Sequence, residues 1–264
     1  ILKRMVLAAA QAGVTAIKLQ TYTPDTMTLN LSKGDFSIGE KDSIWKGRNL
    51  YNLFKKAYTP WEWHAEIFKL AKKHGLIAFS SVFDESSVDF LEKLKVPAYK
   101  ISSFENTDIP LIRKVAKTGK PLILSTGIST IDEISESINE AKKYGCKNIA
   151  LLKCTSAYPA SPKSLNLRTI EYMKKKFNCE VGISDHTNSI GASISSVVHG
   201  ASIIEKHFIL NKSKKSVDDK FSIDAQDLKT LVRETNNAWE AIGKYQLKPT
   251  KYEKSEINYK RSLY

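Results

Sequence analysis

The feature that most constrains the fold is a regular alternation of short apolar segments with segments of helical periodicity. Each apolar segment has the length of one buried strand, and a helical pattern separates most of them from the next. Strands that are apolar on both faces and alternate with helices are typical of a parallel sheet covered by helices. The predicted strands are 16–21, 76–81, 97–103, 121–127, 148–156, 181–187 and 202–208.

This repetition favours an α/β fold of the TIM (β/α)8 barrel class, because right-handed strand–helix units of this spacing most often close on themselves. A helical pattern over residues 1–13, and not a strand, precedes the first predicted strand. We therefore expect the first strand of the barrel to be missing from the chain as given. A doubly wound sheet is the alternative, but the glycine-rich phosphate loop of that fold does not follow an early strand here.

Two polar stretches accompany the barrel pattern. Residues 22–58 connect the first two predicted strands, and so long a connection inside a compact domain is usually functional or locally folded. Residues 244–264 follow the last predicted helix, 224–242, and are polar and basic. We predict one barrel domain over residues 1–243 and a linker over residues 244–264.

The chain is strongly basic, with 41 Lys and Arg residues, 28 Asp and Glu residues and a formal net charge of +13. The lysines are spread over nearly every predicted helix and do not alternate with aromatic residues on one element, so we expect no nucleic-acid partner. No apolar run approaches the length of a membrane span, so we expect no membrane association. Cys146, Cys154 and Cys179 show no CxxC spacing, which favours a reducing cytoplasm over a disulfide framework.

Two lysines interrupt otherwise apolar predicted strands. Lys18 lies in AIKLQT and Lys100 in PAYKISS, and burying an ammonium group is costly unless it is paired. In a barrel both side chains would point into the mouth, beside the hydroxyl groups that end most of the strands. Lysines surrounded by hydroxyl and backbone donors predict a site for a phosphate or a carboxylate.

Two histidines follow two neighbouring predicted strands. Residues 181–208 read as strand, crossover helix and strand, with His186 and His207 at the ends of the strands. Parallel strands point the same way, so we expect the two imidazoles side by side at one rim of the sheet, near Asp185 and Glu205. Such a pair predicts a divalent metal site, and ordinary rim or core histidines are the alternative.

A cationic pocket beside a two-histidine site suits a condensation reaction. Lysines would hold an anionic phosphorylated donor, and a metal would polarise the carbonyl of an acceptor. A Schiff-base aldolase that uses Lys100 or Lys153 as a nucleophile is the competing enzyme hypothesis. A non-catalytic, partner-binding barrel is a third hypothesis.

Six strand-end motifs, in order, resemble those of the sialic acid synthase family, whose members condense phosphoenolpyruvate with an N-acetylated amino sugar. The segments KLQTYTPDTMTLN and LYNLFKKAYTPWEWH look most like the branch whose acceptor is a 2,4-diacetamido-2,4,6-trideoxy hexose. Acceptors that lead to N-acetylneuraminate or legionaminate remain alternatives, since they differ by a methyl or hydroxyl group and by stereochemistry. The matching motifs are AIKLQTYTPDTMTLN, AYKISSFE, ILSTGIST, LLKCTSAYPA, GISDHT and IEKHF.

The resemblance implies roles for individual residues. It implies that His186 and His207 hold a Mn2+ or Mg2+ ion that binds the aldehyde oxygen of the open-chain sugar. Glu105 would reach the metal's water or the reacting centre, and Lys100 would act with it. The remaining implied contacts are Lys18, Lys100 and Ser81 with the phosphate, Ser103, Ser125 and Ser156 with the carboxylate of phosphoenolpyruvate, and Tyr158 and Asp218 with the sugar.

The resemblance also implies a reaction course and an assembly. In the family, enol carbon C3 attacks the aldehyde, water adds at C2, and phosphate leaves by C–O cleavage. Members carry a glutamate and an Asn-His-Asn/Ala-Gly run on the first barrel strand, and a small antifreeze-like domain after the barrel that reaches the partner's site in a homodimer. We expect the present chain to lack both ends and the full-length protein to be a homodimer.

Overall fold

The computed structural model describes residues 1–39, 46–212 and 217–261. Its centre is a seven-stranded sheet in which every strand pairs in parallel with its neighbours in the sequence, in the order β1 to β7. This confirms the predicted parallel α/β architecture. The strands are β1 Ala16–Thr21, β2 Ile77–Val82, β3 Tyr99–Ile101, β4 Leu122–Ser125, β5 Ile149–Cys154, β6 Glu180–Asp185 and β7 Ile204–Lys206.

The sheet is curled, although β1 and β7 do not pair with each other in the described part of the chain. In a flat sheet these outer strands would lie roughly 29 Å apart, at about 4.8 Å per strand. Instead the side chains of Lys18 on β1 and Glu205 on β7 come within 3.7 Å of each other. The sheet is therefore curled strongly enough for side chains of its two outer strands to meet across its interior.

The helices lie outside the sheet. Polar side chains begin several of them: Asp84, Asp108 and Asp224 accept hydrogen bonds from backbone N–H groups of the first turn, and Thr130 forms a capping box with Glu133. The helices are α1 Leu2–Ala12, α2 Pro24–Met27, α3 Leu50–Ala57, α4 His64–Lys73, α5 Glu85–Lys93, α6 Ile109–Ala116, α7 Ile131–Lys143, α8 Thr169–Phe177, α9 Gly191–Val198 and α10 Ala225–Ile242.

Two apolar cores hold the layers together. The larger one packs β2 to β6 against α5 to α8. The smaller one joins α1, α4 and α10 through residues such as Val6, Ile67 and Leu231. Because α1 contacts both α4 and α10, the helical layer is continuous outside the gap between β1 and β7.

The connection after β1 is locally folded. Residues 22–58 contain α2, a 3-10 turn at Gly34–Phe36 and α3, and α2 packs against α3. Asn49 caps α3 and also donates a hydrogen bond to the carbonyl of Leu31. Part of this predicted connection, residues 40–45, lies outside the described residues, as do residues 262–264 of the predicted linker.

The end of β7 pairs with a returning segment. Ile223 donates its backbone N–H to the carbonyl of His207 at 3.0 Å and accepts the N–H of Ile209 at 2.9 Å. This pairing carries residues 217–222 back over the carboxyl-terminal rim of the sheet.

The described helices include none that is both long enough and apolar enough to cross a membrane.

Candidate active site

A cavity opens at the carboxyl ends of the strands, which is where barrel enzymes bind their substrates. Most of the predicted site residues line it. Three do not: Ser81, Glu105 and Ser156 lie next to the lining residues. The predicted residues in the lining are Lys18, Lys100, Ser103, Ser125, Tyr158, His186, His207 and Asp218.

A carboxylate from β7 joins the two predicted lysines. Glu205 Oε1 lies 3.5 Å from Lys100 Nζ, and Glu205 Oε2 lies 3.7 Å from Lys18 Nζ. The hydroxyl of Ser184 donates a hydrogen bond to Oε1 at 2.8 Å. The side chain of Lys100 is only 2% exposed, so this ion pair offsets the cost of burying its charge.

The charges of this group reinforce one another. Burial alone would raise the pKa of Glu205, but the ammonium groups of Lys100 and Lys18 hold it down at about 2. Burial lowers the pKa of Lys100, and the Glu205 charge opposes that effect. The carboxylate is therefore ionised at neutral pH and favours the charged form of Lys100.

Ser81 supports Lys18 from outside the cavity. Its hydroxyl accepts a hydrogen bond from Lys18 Nζ at 3.2 Å, and Ser81 is fully buried. It fixes the position of the ammonium group, while Lys18 itself faces the cavity.

Three serines and a glycine form a small polar concavity next to the lysines. A Cβ atom built on Gly127 would lie 2.2 Å from Ser156 Oγ and 2.8 Å from Ser103 Oγ. A side chain at this position would displace the hydroxyl groups, because real Cβ atoms do not approach other atoms so closely. Gly127 donates its N–H to Ser103 Oγ at 3.0 Å, and the buried hydroxyl of Ser125 has no partner among the described residues. The concavity presents hydroxyl donors of the kind that bind a carboxylate.

The two histidines lie side by side, as their positions after β6 and β7 predict. Their ring centroids are 5.3 Å apart. Nδ1 of His186 lies 3.2 Å from the carbonyl oxygen of Thr155, and Nδ1 of His207 lies 3.4 Å from Asp218 Oδ2. Each ring is thus oriented through Nδ1, which leaves Nε2 of each as the nitrogen that can bind a metal.

The donor chemistry fits a divalent metal ion. Burial, together with the charge of His207, lowers the pKa of His186 to about 4, so its imidazole is neutral and able to coordinate at physiological pH. No cluster of three or more His, Cys, Asp or Glu ligands occurs in the described ranges. His186 and His207 would therefore be the protein's ligands, and water or substrate oxygens would supply the rest.

Glu105 lies in a 3-10 turn, Ser103–Glu105, directly after β3. Burial raises its pKa to about 7; the charge of Lys100 opposes this effect and that of Asp108 adds to it. Its Oε2 atom is buried without a hydrogen-bond partner in the described part of the chain. A carboxyl group with this pKa can both accept and donate a proton near neutral pH.

An aromatic group surrounds the histidines. The Tyr158 ring lies 4.5 Å from His186, and the Phe221 ring lies 4.9 Å from His207 and 5.1 Å from Tyr158, as centroid distances. Phe221 and Asp218 reach the cavity because Ile223 pairs with the end of β7.

Two residues that the sequence suggested for the site have side chains that point away from the cavity. Asp185, expected near the metal site, points outward, where it pairs with Lys206 at 2.9 Å and accepts a hydrogen bond from Ser193 at 2.6 Å. Lys153, the second Schiff-base candidate, donates to Thr155 Oγ1 at 2.7 Å and does not line the cavity. Side chains alternate between the two faces of a strand, so the neighbours of inward residues point away from the barrel interior.

Several residues of the lining were not predicted, among them four that lie close together in the sequence or fold: Tyr22, Met27, Phe54 and Phe83. They come from the connection after β1 and from the loop after β2. A search for polar residues at the strand ends cannot find them. Tyr22 and Phe83, however, directly follow β1 and β2, and aromatic residues at these positions were a usable signal.

A curled parallel sheet with paired lysines, a buried carboxylate and two imidazoles at its carboxyl-terminal rim defines an enzyme of the barrel class. The model of the NeuB family matches residues 5–247. The chain belongs to the NeuB family.

Several relatives are similar over nearly the whole chain. Pseudaminic acid synthase from Campylobacter jejuni is 43% identical, with coverage of 99% of this chain and 76% of the relative. Pseudaminic acid synthase from Helicobacter pylori is 42% identical, with coverage of 99% and 77%. An N,N'-diacetyllegionaminic acid synthase from C. jejuni is 34% identical, with coverage of 97% and 77%.

A solved structure has the same fold. The N-acetylneuraminic acid synthetase of Leptospira borgpetersenii superposes with a TM-score of 0.83 at 29% identity and covers 99% of this chain and 86% of that chain.

Proposed function

We propose that the protein condenses phosphoenolpyruvate with a 2,4-diacetamido-2,4,6-trideoxy hexose and releases phosphate, as a pseudaminic acid synthase. The observation that carries this proposal is one cavity that holds the Lys18–Glu205–Lys100 group and, next to it, the His186–His207 pair. The choice of acceptor rests on identity, which is 43% to a pseudaminic acid synthase and 34% to a diacetyllegionaminic acid synthase.

In this proposal phosphoenolpyruvate binds at the lysine side of the cavity. Lys18 and Lys100 hold the phosphate, while Glu205, itself bound by Ser184, keeps the two ammonium groups in place. The hydroxyl groups around Gly127, from Ser103, Ser125 and Ser156, hold the carboxylate. Both anions then lie against fixed donors, which orients the enol carbon towards the histidines.

The sugar binds at the histidine side. His186 and His207 would hold a Mn2+ or Mg2+ ion, which supplies Lewis-acid polarisation of the aldehyde oxygen when bound. Tyr158 and Asp218 would position the sugar beside the two imidazoles.

The proposed reaction forms one carbon–carbon bond and breaks the carbon–oxygen bond to phosphate. The bond from C3 of phosphoenolpyruvate to the aldehyde carbon forms, and the aldehyde oxygen takes a proton. Water adds at C2 and gives up a proton. Glu105 accepts this proton, because its pKa of about 7 lets it change protonation state near neutral pH. The C–O bond to phosphate then breaks with its electron pair on the phosphate oxygen, where Lys18 and Lys100 stabilise the departing charge, and the C2 hydroxyl passes its remaining proton to the phosphate as the C2 carbonyl forms.

We further propose that an eighth strand completes the barrel in the gap between β1 and β7, as expected for the first strand of the family. The continuous helical layer of α1 and α10 outside that gap supports this proposal. Residues 1–243 would then be the barrel and residues 244–264 the linker to a further domain, and the full-length protein would be a homodimer.

The test is release of phosphate from phosphoenolpyruvate in the presence of Mn2+ and each of three acceptors: the diacetamido-trideoxy hexose, the legionaminate precursor and N-acetylmannosamine. We expect the first to give the highest kcat/KM, and a chelator to abolish turnover. A higher rate with either of the other acceptors contradicts the assignment. Trapping of a covalent adduct with borohydride at Lys100 would favour the aldolase hypothesis instead.

A further inference from the structure

One wall of the cavity is apolar and has no part in the reaction described above. It consists of Tyr22, which follows β1, Met27 of α2, Phe54 of α3 and Phe83, which follows β2. We call these four residues the aromatic corner. They come from three separate parts of the chain, and all of them line the same cavity as the lysines and histidines.

The aromatic corner is a built structure. The Tyr22 ring meets Phe54 edge-on at a centroid distance of 5.8 Å and Phe83 edge-on at 5.4 Å. Trp61 Nε1 donates a hydrogen bond to the backbone carbonyl of Tyr22 at 3.1 Å and holds the chain in place. Tyr22 is buried while Phe54 and Phe83 are half-buried, so the corner presents fixed ring surface to the cavity.

Packing alone does not account for this arrangement. Phe68 and Phe90 in the neighbouring helices pack edge-on against His64 and do not line the cavity. Phe54 and Phe83 differ from them because they leave part of their rings facing the space where the substrate would bind. An apolar surface inside a polar cavity is a recognition element for an apolar part of a ligand.

The position of Asp218 connects the aromatic corner to the histidines. Asp218 lies 3.4 Å from His207 on one side. On the other side its negative charge, together with the larger effect of burial, raises the pKa of Tyr22 to about 12. Asp218, the two histidines and the aromatic corner all line the same cavity.

The histidines and the aromatic corner line one cavity, so a sugar with its aldehyde at the histidines could place its far end against the aromatic corner. We propose that the aromatic corner is the subsite for the methyl group at C6 of the acceptor and selects the 6-deoxy sugar over its 6-hydroxy analogue. This inference rests on the proposed function. Its physical basis is that a hydroxyl group placed against the side chains of Met27, Phe54 and Phe83 loses hydrogen bonds to water, and none of these three side chains supplies a strong one in return.

The test compares two acceptors that differ only at C6: 2,4-diacetamido-2,4,6-trideoxy hexose and the same sugar with a C6 hydroxyl. For the unsubstituted protein we expect kcat/KM to favour the deoxy sugar by about 10-fold to 100-fold, the range in which an apolar pocket discriminates against an added hydroxyl. Phe54→Tyr and Phe83→Tyr each place a hydroxyl group in the corner, so we expect each to lower that ratio about 10-fold. The KM for phosphoenolpyruvate should not change.

Two further variants serve as controls. Phe54→Leu keeps the surface apolar, so it should lower kcat/KM for both sugars while the preference for the deoxy sugar remains. Phe177→Tyr makes the same chemical change on a half-buried ring at the end of α8, outside the cavity, and should leave the ratio unchanged.

The outcomes separate the two proposals. Turnover of the deoxy sugar with a ratio near one, or with the same ratio in all variants, overturns the role of the aromatic corner and leaves the proposed function intact. Turnover of N-acetylmannosamine with none of the diacetamido sugars overturns the proposed function.

Discussion

The ammonium group of Lys100 lies 3.5 Å from the carboxylate of Glu205, on strands that are four places apart in the sheet. The curl of the sheet creates this contact, and Lys18 from the opposite outer strand shares the same carboxylate. The three groups together carry one net positive charge. A bound phosphate would therefore find two ammonium groups that are already held in place, with one carboxylate between them that reduces their mutual repulsion.

The first prediction concerns the stability of this group. Glu205→Gln leaves the buried ammonium group of Lys100 and the half-buried one of Lys18 without their anion, and Lys100→Met leaves the carboxylate with one cation fewer. We expect each single substitution to lower the free energy of unfolding by about 3 kcal/mol, the usual cost of breaking a buried ion pair. The double variant should lose clearly less than the sum of the two, because the groups interact. Urea denaturation measures all three; effects that add within about 0.5 kcal/mol would contradict the coupling.

The second prediction concerns the carboxylate concavity around Gly127. Gly127→Ala places a methyl group 2.2 Å from Ser156 Oγ and 2.8 Å from Ser103 Oγ, so the hydroxyl groups must move. We expect the KM for phosphoenolpyruvate to rise about 10-fold or more, which corresponds to the loss of one good hydrogen bond to a charged group. Gly191→Ala is the matched control, because its new methyl group meets no atom within 4 Å. Equal KM values for the two variants would contradict the role of the concavity.

Much of the site follows from two simple properties of the sequence. The parallel strands could be predicted from their apolar, helix-separated pattern, and polar residues at strand ends must gather at one rim. Lys18, Lys100, His186 and His207 all lie in or beside the cavity for this reason. The outward direction of Asp185 was equally predictable, because it alternates with the inward Ser184 and His186.

Other parts of the site depend on contacts between distant segments. Asp218 and Phe221 reach the cavity only because Ile223 pairs with the backbone of His207 and Ile209. The contact of Glu205 with Lys18 requires the two outer strands to approach across the curled sheet. No local pattern in the sequence contains this information, since both contacts depend on how the sheet bends.

The third prediction concerns metal binding. His186→Ala and His207→Ala should each abolish measurable binding of Mn2+ by calorimetry, because each removes one of the two imidazole ligands that the cavity offers. Asp218→Asn removes the charge that orients His207 through Nδ1, so affinity should fall about 10-fold to 100-fold. His74→Ala, at an exposed position after α4, is the control. If His186→Ala or His207→Ala bound Mn2+ with the affinity of the unsubstituted protein, the histidine that was replaced would be excluded as a ligand.

The fourth prediction concerns the pH dependence of stability. Burial raises the pKa of Glu105 to about 7 from an ordinary value of 4.5, with Lys100 and Asp108 as the charges that act on it. In this pH range the folded state therefore holds a proton that the unfolded state releases. The ionisation of Glu105 lowers the free energy of unfolding as the pH rises from about 5 to 8. Glu105→Gln should remove that loss and make the protein more stable than the unsubstituted form by about 2 kcal/mol at pH 8, with little difference at pH 5.

Thermal or urea denaturation at the two pH values checks this result. Glu240→Gln removes an exposed carboxylate on α10 and serves as the control. The same pH profile for Glu105→Gln and the unsubstituted protein would show that Glu105 titrates normally.

The last prediction concerns a buried hydrogen-bond network beneath Lys18. Nε2 of His64 lies 2.8 Å from Thr21 Oγ1, which in turn lies 2.7 Å from Ser80 Oγ, and Nδ1 of His64 lies 3.3 Å from the carbonyl oxygen of Pro60. Burial lowers the pKa of His64, so the neutral ring donates through Nδ1 and accepts the Thr21 hydroxyl at Nε2. The network joins β1, β2 and α4 next to Ser81, the residue that holds Lys18.

His64→Phe replaces the imidazole with an apolar ring and leaves the Thr21 hydroxyl without its acceptor. Thr21→Val leaves Nε2 of His64 without its donor. We expect each to lower the free energy of unfolding by about 1–3 kcal/mol, the cost of a buried polar group without a partner. The double variant His64→Phe/Thr21→Val removes both polar groups, so it should be more stable than the sum of the single effects predicts, by about 1 kcal/mol or more. Strictly additive losses in urea denaturation would mean that the two side chains contribute only through packing, because a hydrogen bond between them must appear as a coupling energy.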